Sequence, residues 1–317
     1  MNKPAAPPLA PATDSADWTR RAERGSWLLL RIFAWLSLRV GRRASRLILH
    51  GITLYYLLLA PTACRHSRAY LTRALGRRPR LGDRYRHILT FATTIHDRVF
   101  LLNGRYDLFD VSIEGEPLVR EALDRREGAF LMGAHLGSFE VTRALGYQQS
   151  GIHVAMAMYA DNARKINGAL GAINPALKAD IIELGHMSAM LDLNARLDAG
   201  TFVGILGDRS HENDDRQQVP FLGSAAAFPT GAMRVAAMLR RRVYFMAGLY
   251  AGDNRYHIVF EPLADFSTVG RADRADAVRR AIEAYVATVE RYCRRYPYNW
   301  FNFFDFWQPG SRPATPE

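Results

Sequence analysis

Short apolar runs alternate with amphipathic helical segments through most of the chain after residue 110. The apolar runs predict strands at residues 129–134, 153–159, 180–183, 201–207, 243–250 and 256–261. Helical spacing of apolar positions predicts helices at residues 139–147, 163–179, 188–199, 229–240 and 274–295. This alternation favours an α/β fold, with a mostly parallel sheet flanked by helices. The last two strands, joined by Gly252, Asp253 and Asn254, are predicted to form a hairpin.

Two apolar segments near the N-terminus, residues 26–40 and 47–60, have a different pattern. Arginines interrupt the first, and the second is short and contains His50, so neither is an unbroken run of the roughly 20 apolar residues that a spanning helix needs. A cleaved signal peptide is a poor fit, because Arg31 interrupts the apolar region and no small-residue cleavage site follows.

Projection of the first apolar segment onto a helix of about 100° per residue separates basic from apolar positions. Six arginines fall within an arc of roughly 100° on this projection: Arg20, Arg24, Arg31, Arg39, Arg42 and Arg46. A basic stripe beside a broad apolar face with Trp18, Trp27 and Trp35 is typical of a helix that lies in a membrane interface. The alternative is a helix packed on the protein's own core with a solvated arginine edge. Helix breaks at Gly25 and Gly41 would weaken the stripe.

The positive charge of the chain is concentrated in its N-terminal third. The 317 residues have a formal net charge of +11, and residues 1–105 contain 19 Lys and Arg against 5 Asp and Glu. Such an asymmetry indicates an anionic partner, which is nucleic acid, phospholipid headgroups or an acidic protein. We expect a disordered tail at residues 1–17, a basic, membrane-associated helical region at residues 18–110 and an α/β domain at residues 111–317.

The sequence AFLMGAHLGSFE at residues 129–140 is the strongest candidate for catalytic chemistry. An apolar run, a bend of small residues and a second apolar stretch predict a buried strand, a turn and the start of a helix. His135 in the bend would act as a neutral general base. Glu140 would accept a hydrogen bond from its Nδ1–H and so fix the tautomer. Free backbone N–H groups around Gly137 and Ser138 would support an oxyanion. The alternative is a hydrogen-bonded core histidine with a surface glutamate.

This stretch resembles a known family. GAHLGSFE is similar to the H-x4-D/E motif of the lysophospholipid-type acyltransferases, and with its flanking helix most resembles the late acyltransferases of lipid A biosynthesis, the lauroyl and myristoyl type. FVGILGD at residues 202–208 resembles that family's second block, and residues 220–223 with Gly231 resemble the segment after it. The resemblance covers roughly residues 110–305. It implies a glycerolipid-acyltransferase-like fold and a site role for Asp208.

The resemblance also implies O-acyl transfer at the cytoplasmic face of the cell inner membrane. Family members take a fatty acyl group from acyl carrier protein, and His135 would deprotonate the acceptor hydroxyl that attacks the thioester. No metal or organic cofactor is required. The implied partners are acyl carrier protein, a lipid acceptor and the membrane surface. The first and the last are acidic, which agrees with the basic N-terminal third.

The lipid acceptor stays open. The family usually has a Tyr-Arg pair after the second strand, in which the arginine contributes to the active site, whereas Tyr159 is followed here by Ala160, with Arg164 and Lys165 as the nearest basic residues. The C-terminal block, which in the family carries Trp with several basic residues, here reads YNWFNFFDFW. Both changes remove positive charge from where a phosphorylated sugar lipid would lie. A polyketide-like, aryl-polyene or amino-acid-derived lipid is therefore an alternative to a lipid A-like glycolipid.

The acidic loop at residues 208–215 follows the second block. Its carboxylates and His211 are a metal-binding composition, but their spacing matches no known cage, which favours a solvated loop. Arg209 would position an anionic group or stabilise an oxyanion. His153, His186 and His257 are expected to be structural because they lie in or beside apolar runs.

Two further function classes are alternatives. A thioesterase would use water as the acceptor, and a non-enzymatic protein would use the basic third to bind a polyanion. Two observations argue against a nucleic-acid-binding function. The arginines interleave with Leu, Ile and Trp, and no nucleic-acid-binding module is recognisable. The only two cysteines, Cys64 and Cys293, offer no disulfide framework or zinc spacing, which favours a reducing compartment.

Overall fold

The computed structural model describes residues 23–142, 154–176, 180–209 and 214–307. The predicted tail lies outside these residues. The chain begins with helices α1 (Glu23–Val40), α2 (Arg42–Leu59), α3 (Pro61–Leu75) and α4 (Leu81–Leu101). Gly41 separates α1 from α2 with a φ of 83°, a conformation that glycine adopts without a steric penalty. Pro61 opens α3 and the left-handed Gly76 ends it, as the preferences of these residues for helix ends predict.

The rest of the described chain forms two sheets with flanking helices. Its strands are β1 (Asp110–Glu114), β2 (Phe130–Gly133), β3 (Val154–Tyr159), β4 (Ile181–Leu184), β5 (Phe202–Leu206), β6 (Arg216–Phe221), β7 (Ser224–Pro229), β8 (Arg242–Gly252) and β9 (Arg255–Asp265). Its helices are α5 (Glu116–Asp124), α6 (Ala160–Ile173), α7 (Met187–Asp198), α8 (Gly231–Met238) and α9 (Arg274–Arg295). Residues 139–142 form a further helical turn after β2.

The main sheet has seven strands in the order β1-β9-β8-β2-β5-β3-β4, and β6 pairs with β7 in a separate antiparallel sheet. Every neighbouring pair in the main sheet is parallel except β8 and β9, which form the predicted hairpin. Each residue of β2 is buried, as expected for a parallel strand covered by helices on both faces. The α/β fold with a mostly parallel sheet is therefore confirmed. The carboxyl ends of β2, β5 and β3 lie along one edge of the sheet.

Several elements differ from the sequence prediction. Strands β1, β6 and β7 and helix α5 were not predicted. The strands β1 (DVSIE) and β6 (RQQVPF) are rich in polar residues and partly exposed, and β7 (SAAAFP) consists mainly of small residues, so none of the three has the apolar pattern of a buried strand. Helix α6 ends at Ile173, earlier than predicted, and starts directly after β3. Of the predicted helix at 139–147, only residues 139–142 are described, and His153 also lies outside the described residues.

Helix α2 is fixed to the sheet by a buried ion pair. Arg42 donates from Nε to Oδ1 of Asp97 on α4 at 2.7 Å and from Nη2 to Oδ2 at 2.8 Å. The Tyr256 hydroxyl donates to the same carboxylate at 2.8 Å. Arg42 and Arg46 also donate to the carbonyl of Asp253 in the β8–β9 hairpin, at 2.6 and 2.9 Å. The prediction of a solvent-facing or lipid-facing arginine is therefore wrong at Arg42, because its buried guanidinium is paired with a buried carboxylate, whereas Arg46 is half-buried and bonds to the hairpin.

The opposite sides of α1 and α2 carry large exposed apolar side chains. We call these residues the outer apolar face: Leu28, Leu29, Ile32, Trp35, Val40, Leu47, Ile48, Leu54, Tyr55, Leu58 and Leu59. In the described part of the chain, no single helix is long and apolar enough to cross a membrane. Helices α2 and α3 together meet the same criteria of length and composition, but their axes are bent by 96°.

Candidate active site

The bend after β2 places His135 at the edge of the sheet. Gly137 in this bend has a φ of 74°, and a Cβ atom there would lie 2.1 Å from the carbonyl oxygen of Gly248 on β8. Only glycine fits this close approach of two backbones. Leu136 forms an isolated antiparallel bridge with Trp300, so the bend is held between β8 and the C-terminal segment.

His135 is hydrogen-bonded to Asp208, which follows β5. Because β2 and β5 are parallel neighbours, the residues that follow them meet at the same sheet edge. The Nδ1 of His135 lies 2.8 Å from Oδ1 of Asp208, and the backbone N–H of His135 donates to Oδ2 at 3.0 Å. Since a carboxylate only accepts, Nδ1 carries the proton and Nε2 keeps its lone pair.

Asp208 is fully enclosed, with 1% of its surface exposed. Its Oδ2 also accepts hydrogen bonds from the indole N–H of Trp300 at 3.1 Å and from Nδ2 of Asn302 at 2.9 Å. With the two bonds from His135, four donors satisfy the carboxylate. A buried carboxylate is stable in its charged form only when it is satisfied in this way.

Electrostatics favour a neutral imidazole beside an ionised carboxylate. Burial alone would raise the pKa of Asp208, but the neighbouring His135 and Arg209 and the hydrogen bond from Asn302 hold it well below its usual range. Burial lowers the pKa of His135, Asp208 partly offsets this effect, and Arg209 lowers the pKa further. The imidazole, whose side chain is 28% exposed, is therefore a neutral proton acceptor at neutral pH.

Arg209 is largely committed to the C-terminal segment. Its Nε donates to Oδ1 of Asn302 at 2.7 Å, and Nη2 donates to the carbonyl of Phe301 at 3.1 Å. Its guanidinium also lies over the ring of Phe304, 5.6 Å from the centroid. Arg209 therefore holds the residues that hold Asp208, and it places a cation beside that carboxylate.

The C-terminal segment 299–302 runs beside the bend and fixes it. The N–H of Phe301 donates to the carbonyl of His135 at 2.8 Å, and the N–H of Gly137 donates to the carbonyl of Asn299 at 2.8 Å. The side chain of Asn299 accepts from the N–H of Tyr250 at 2.8 Å and donates to its carbonyl at 3.1 Å. This segment therefore ties the His135 backbone to β8.

A buried histidine, His87, supports the segment from its other side. His87 on α4 lies with Nε2 2.8 Å from the carbonyl of Trp300 and Nδ1 2.8 Å from the hydroxyl of Ser67. Because a carbonyl only accepts, Nε2 donates and Nδ1 accepts. Burial lowers the pKa of His87 to about 4, so the ring is neutral and structural.

The predicted pairing of His135 with Glu140 is wrong. Glu140 lies in the helical turn 139–142 and forms an ion pair with Arg98 of α4, with Oε2 and Nη2 2.9 Å apart. The turn directs this carboxylate towards α4, whereas Asp208 occupies the Nδ1 side of the imidazole. The sequence suggested Glu140 because it is nearer to His135 along the chain, but the order of the strands brings Asp208 into contact with the imidazole.

The predicted oxyanion donors are also engaged. The N–H of Gly137 bonds to Asn299, and the N–H of Ser138 donates to the carbonyl of Gly248 at 2.7 Å. The Ser138 hydroxyl is buried with 2% of the residue exposed. Both amides serve the close packing of the bend on β8 and the C-terminal segment, so neither points to a reacting carbonyl.

The remaining predicted site residues lie along the same edge or outside the described residues. Arg164 is exposed on α6, which begins directly after β3. In the acidic loop, Tyr159 donates to Asp214 at 3.4 Å and Asp215 forms an ion pair with Arg234. His211 lies outside the described residues.

Sequence reasoning missed Asn299, Trp300 and Asn302. They lie in an aromatic run with few charges, and their polar groups bond to backbone and carboxylate partners. The available signal was two asparagines within an otherwise aromatic stretch, since a buried amide must find hydrogen-bond partners.

A protein-family model described as bacterial lipid A biosynthesis acyltransferase matches residues 99–308, which is about two thirds of the chain. The matched range contains His135, Asp208 and the C-terminal segment that joins them. No curated protein matches the chain.

Replacing Asp208 by asparagine should lower the pKa of His135 further below the ordinary value of 6.5, because the charge of the carboxylate raises it. Histidine-labelled NMR titration measures this pKa directly. Glu140→Gln is the matched control, since it removes the carboxylate that is nearer in sequence, and it should shift the pKa less. A larger shift in Glu140→Gln than in Asp208→Asn would contradict the pairing.

Proposed function

The chain belongs to the bacterial lipid A biosynthesis acyltransferase family, and we propose that it transfers a fatty acyl group from acyl carrier protein to a hydroxyl group of a membrane lipid. The observation that carries this proposal is the 2.8 Å contact of His135 Nδ1 with the buried carboxylate of Asp208, within the matched range. A histidine held in this tautomer, with its pKa lowered by burial, has the properties of a general base.

In the proposed reaction, Nε2 of His135 takes the proton of the acceptor hydroxyl. The hydroxyl oxygen bonds to the thioester carbonyl carbon, and a tetrahedral intermediate forms. Its collapse breaks the carbon–sulfur bond, and the imidazolium gives its proton to the leaving thiolate. The products are an ester and the thiol form of the carrier. Asp208 stabilises the imidazolium between these two proton transfers.

Arg209 and Glu140 have positioning roles in this proposal. Arg209 holds Asn302 and the carbonyl of Phe301, and both belong to the segment that encloses Asp208. Glu140, through its ion pair with Arg98, fixes the helical turn after the bend against α4. Arg164, exposed at the start of α6 on the same sheet edge, is placed to meet an anionic part of a substrate.

The acceptor that we propose is a lipid A-like glycolipid, and the alternative is a different lipid, such as an aryl-polyene or an amino-acid-derived lipid. The family supports a lipid acceptor. The alternative keeps the same chemistry, and it is favoured by the alanine that follows Tyr159 and by the few charges of the C-terminal segment.

His135→Ala should lower kcat for acyl transfer by about 10²–10⁴-fold, because the acceptor hydroxyl loses its general base. The assay combines purified chain, acyl carrier thioester and a lipid extract, and lipid profiling of a strain that carries the variant gives the acceptor. His186→Ala, an exposed histidine on another loop, is the control and should keep full activity. Most of the activity surviving in His135→Ala, or free fatty acid as the only product of the unaltered chain, would contradict the proposal.

We also propose that the helical region at residues 18–110 lies on the cytoplasmic face of the inner membrane. The outer apolar face supports this proposal, since it exposes leucines and Trp35 on two consecutive helices. Arg39, whose guanidinium lies 5.5 Å from the Trp35 ring centroid, places a cation at this face for lipid phosphates. An interfacial position requires no single spanning helix.

The double variant Leu29→Glu/Trp35→Glu should bind phospholipid vesicles at least tenfold more weakly. Each of these side chains is at least 60% exposed, and burying one in the interface contributes about 1.5–3 kcal/mol. Flotation with vesicles measures the bound fraction. The control is Leu191→Glu on α7, a leucine that is 72% exposed, and it should float like the unaltered chain. Equal flotation of all three proteins would exclude the outer apolar face as the membrane contact.

A further inference from the structure

A second surface, on α3, the turn after it and the start of α4, has a different composition from the outer apolar face. Residues 61–86 contain eight arginines and a single acidic residue, Asp83. Exposed guanidiniums follow one side of α3 and continue through the turn. We call this set the arginine surface: Arg65, Arg68, Arg77, Arg78, Arg80 and Arg86.

Among the described residues, most of this charge has no acidic partner. Asp83 is shared between Arg77, at 2.8 Å, and the hydroxyl of Tyr298, at 2.8 Å. Arg65, Arg68 and Arg78 form no ion pair with an acidic residue in the described part of the chain. Unpaired guanidiniums at the surface attract an anionic partner and can bind its carboxylates bidentately.

The arginine surface lies against the segment that holds the candidate base. Tyr298 contacts it through Asp83 and lies under the guanidinium of Arg86, 5.2 Å from the ring centroid. Arg73 of α3 lies 4.2 Å from the ring centroid of Trp307. Residues 298–307 therefore contact the arginine surface through Tyr298 and the neighbouring Arg73 through Trp307, and they contact Asp208 through Trp300.

The surface differs from a membrane contact in its apolar content. The outer apolar face exposes eleven large apolar side chains, whereas the arginine surface exposes one, Leu81. A dense group of guanidiniums with a single exposed leucine fits an acidic protein surface better than it fits a lipid bilayer.

We propose that the arginine surface docks the acidic carrier protein that delivers the acyl thioester, an assignment that rests on the acyl transfer proposed above. Residues 298–307 contact Asp83 and Arg86 through Tyr298 and contact Asp208 through Trp300, so the flexible acyl-bearing arm of the docked carrier would reach His135 around these residues. The outer apolar face stays available for the membrane, so that donor and acceptor approach on different surfaces.

The test compares two reversed-charge variants of the full chain, Arg65→Glu/Arg68→Glu and the matched control Arg271→Glu/Arg280→Glu, which changes two exposed arginines, one in the turn before α9 and one on α9. Two donors are used, the acyl carrier protein and acyl-pantetheine, which has the same thioester without the protein. Carrier binding is measured directly by fluorescence anisotropy, and flotation measures binding to anionic vesicles.

In Arg65→Glu/Arg68→Glu, we expect KM and Kd for the acyl carrier to rise about tenfold or more, since lost charge pairs weaken association. Turnover of acyl-pantetheine and vesicle binding should stay unchanged, which also shows that the variant is folded. Unchanged carrier affinity would overturn the docking assignment, and weaker vesicle binding in the same variant would then indicate that the arginine surface contacts lipid. No transfer by the unaltered chain from either donor would refute the proposed function, while the anisotropy still decides whether the arginine surface binds the carrier.

Discussion

The candidate site depends on keeping the Asp208 carboxylate charged inside the protein. An unpaired buried carboxylate would cost several kcal/mol, and proteins avoid this cost by protonation or by hydrogen bonds. Here the donors come from two distant parts of the chain: the bend after β2 supplies His135, and the C-terminal segment supplies Trp300 and Asn302. The same bonds fix the tautomer of the imidazole, so that the stability of the site and its proposed chemistry share one cause.

This requirement explains why the C-terminal segment lies where it does. The backbone of residues 299–302 bonds to the bend, Asn299 bonds to β8, and the carbonyl of Trp300 accepts from His87 on α4. This short segment therefore contacts α4 on one side, and the bend after β2 and strand β8 on the other. A change on α3 or α4 can reach His135 through it, even without contact with the reacting groups.

Much of the fold was predictable, because buried parallel strands are apolar over their whole length and the helices between them keep helical spacing. The β8–β9 hairpin and α9 were found at nearly their observed positions. The strands β1 and β6 were missed because polar, partly exposed strands give a weak pattern, and β7 was missed because it consists mainly of alanines. Within the site, His135 was identified from its local setting and Asp208 from a family resemblance, but their contact spans 73 residues and follows from strand order. Glu140 was nearer in sequence, and a helical turn directs it to Arg98 instead.

Asp208, rather than Glu140, orients and stabilises the proposed base. This assignment is tested by kcat for acyl transfer in Asp208→Asn beside Glu140→Gln, two changes that each replace a carboxylate by an amide of the same shape. We expect Asp208→Asn to lower kcat by about 10²–10⁴-fold, since the imidazolium loses its counter-charge, and Glu140→Gln to stay within about tenfold of the unaltered chain. A larger loss in Glu140→Gln than in Asp208→Asn would contradict it.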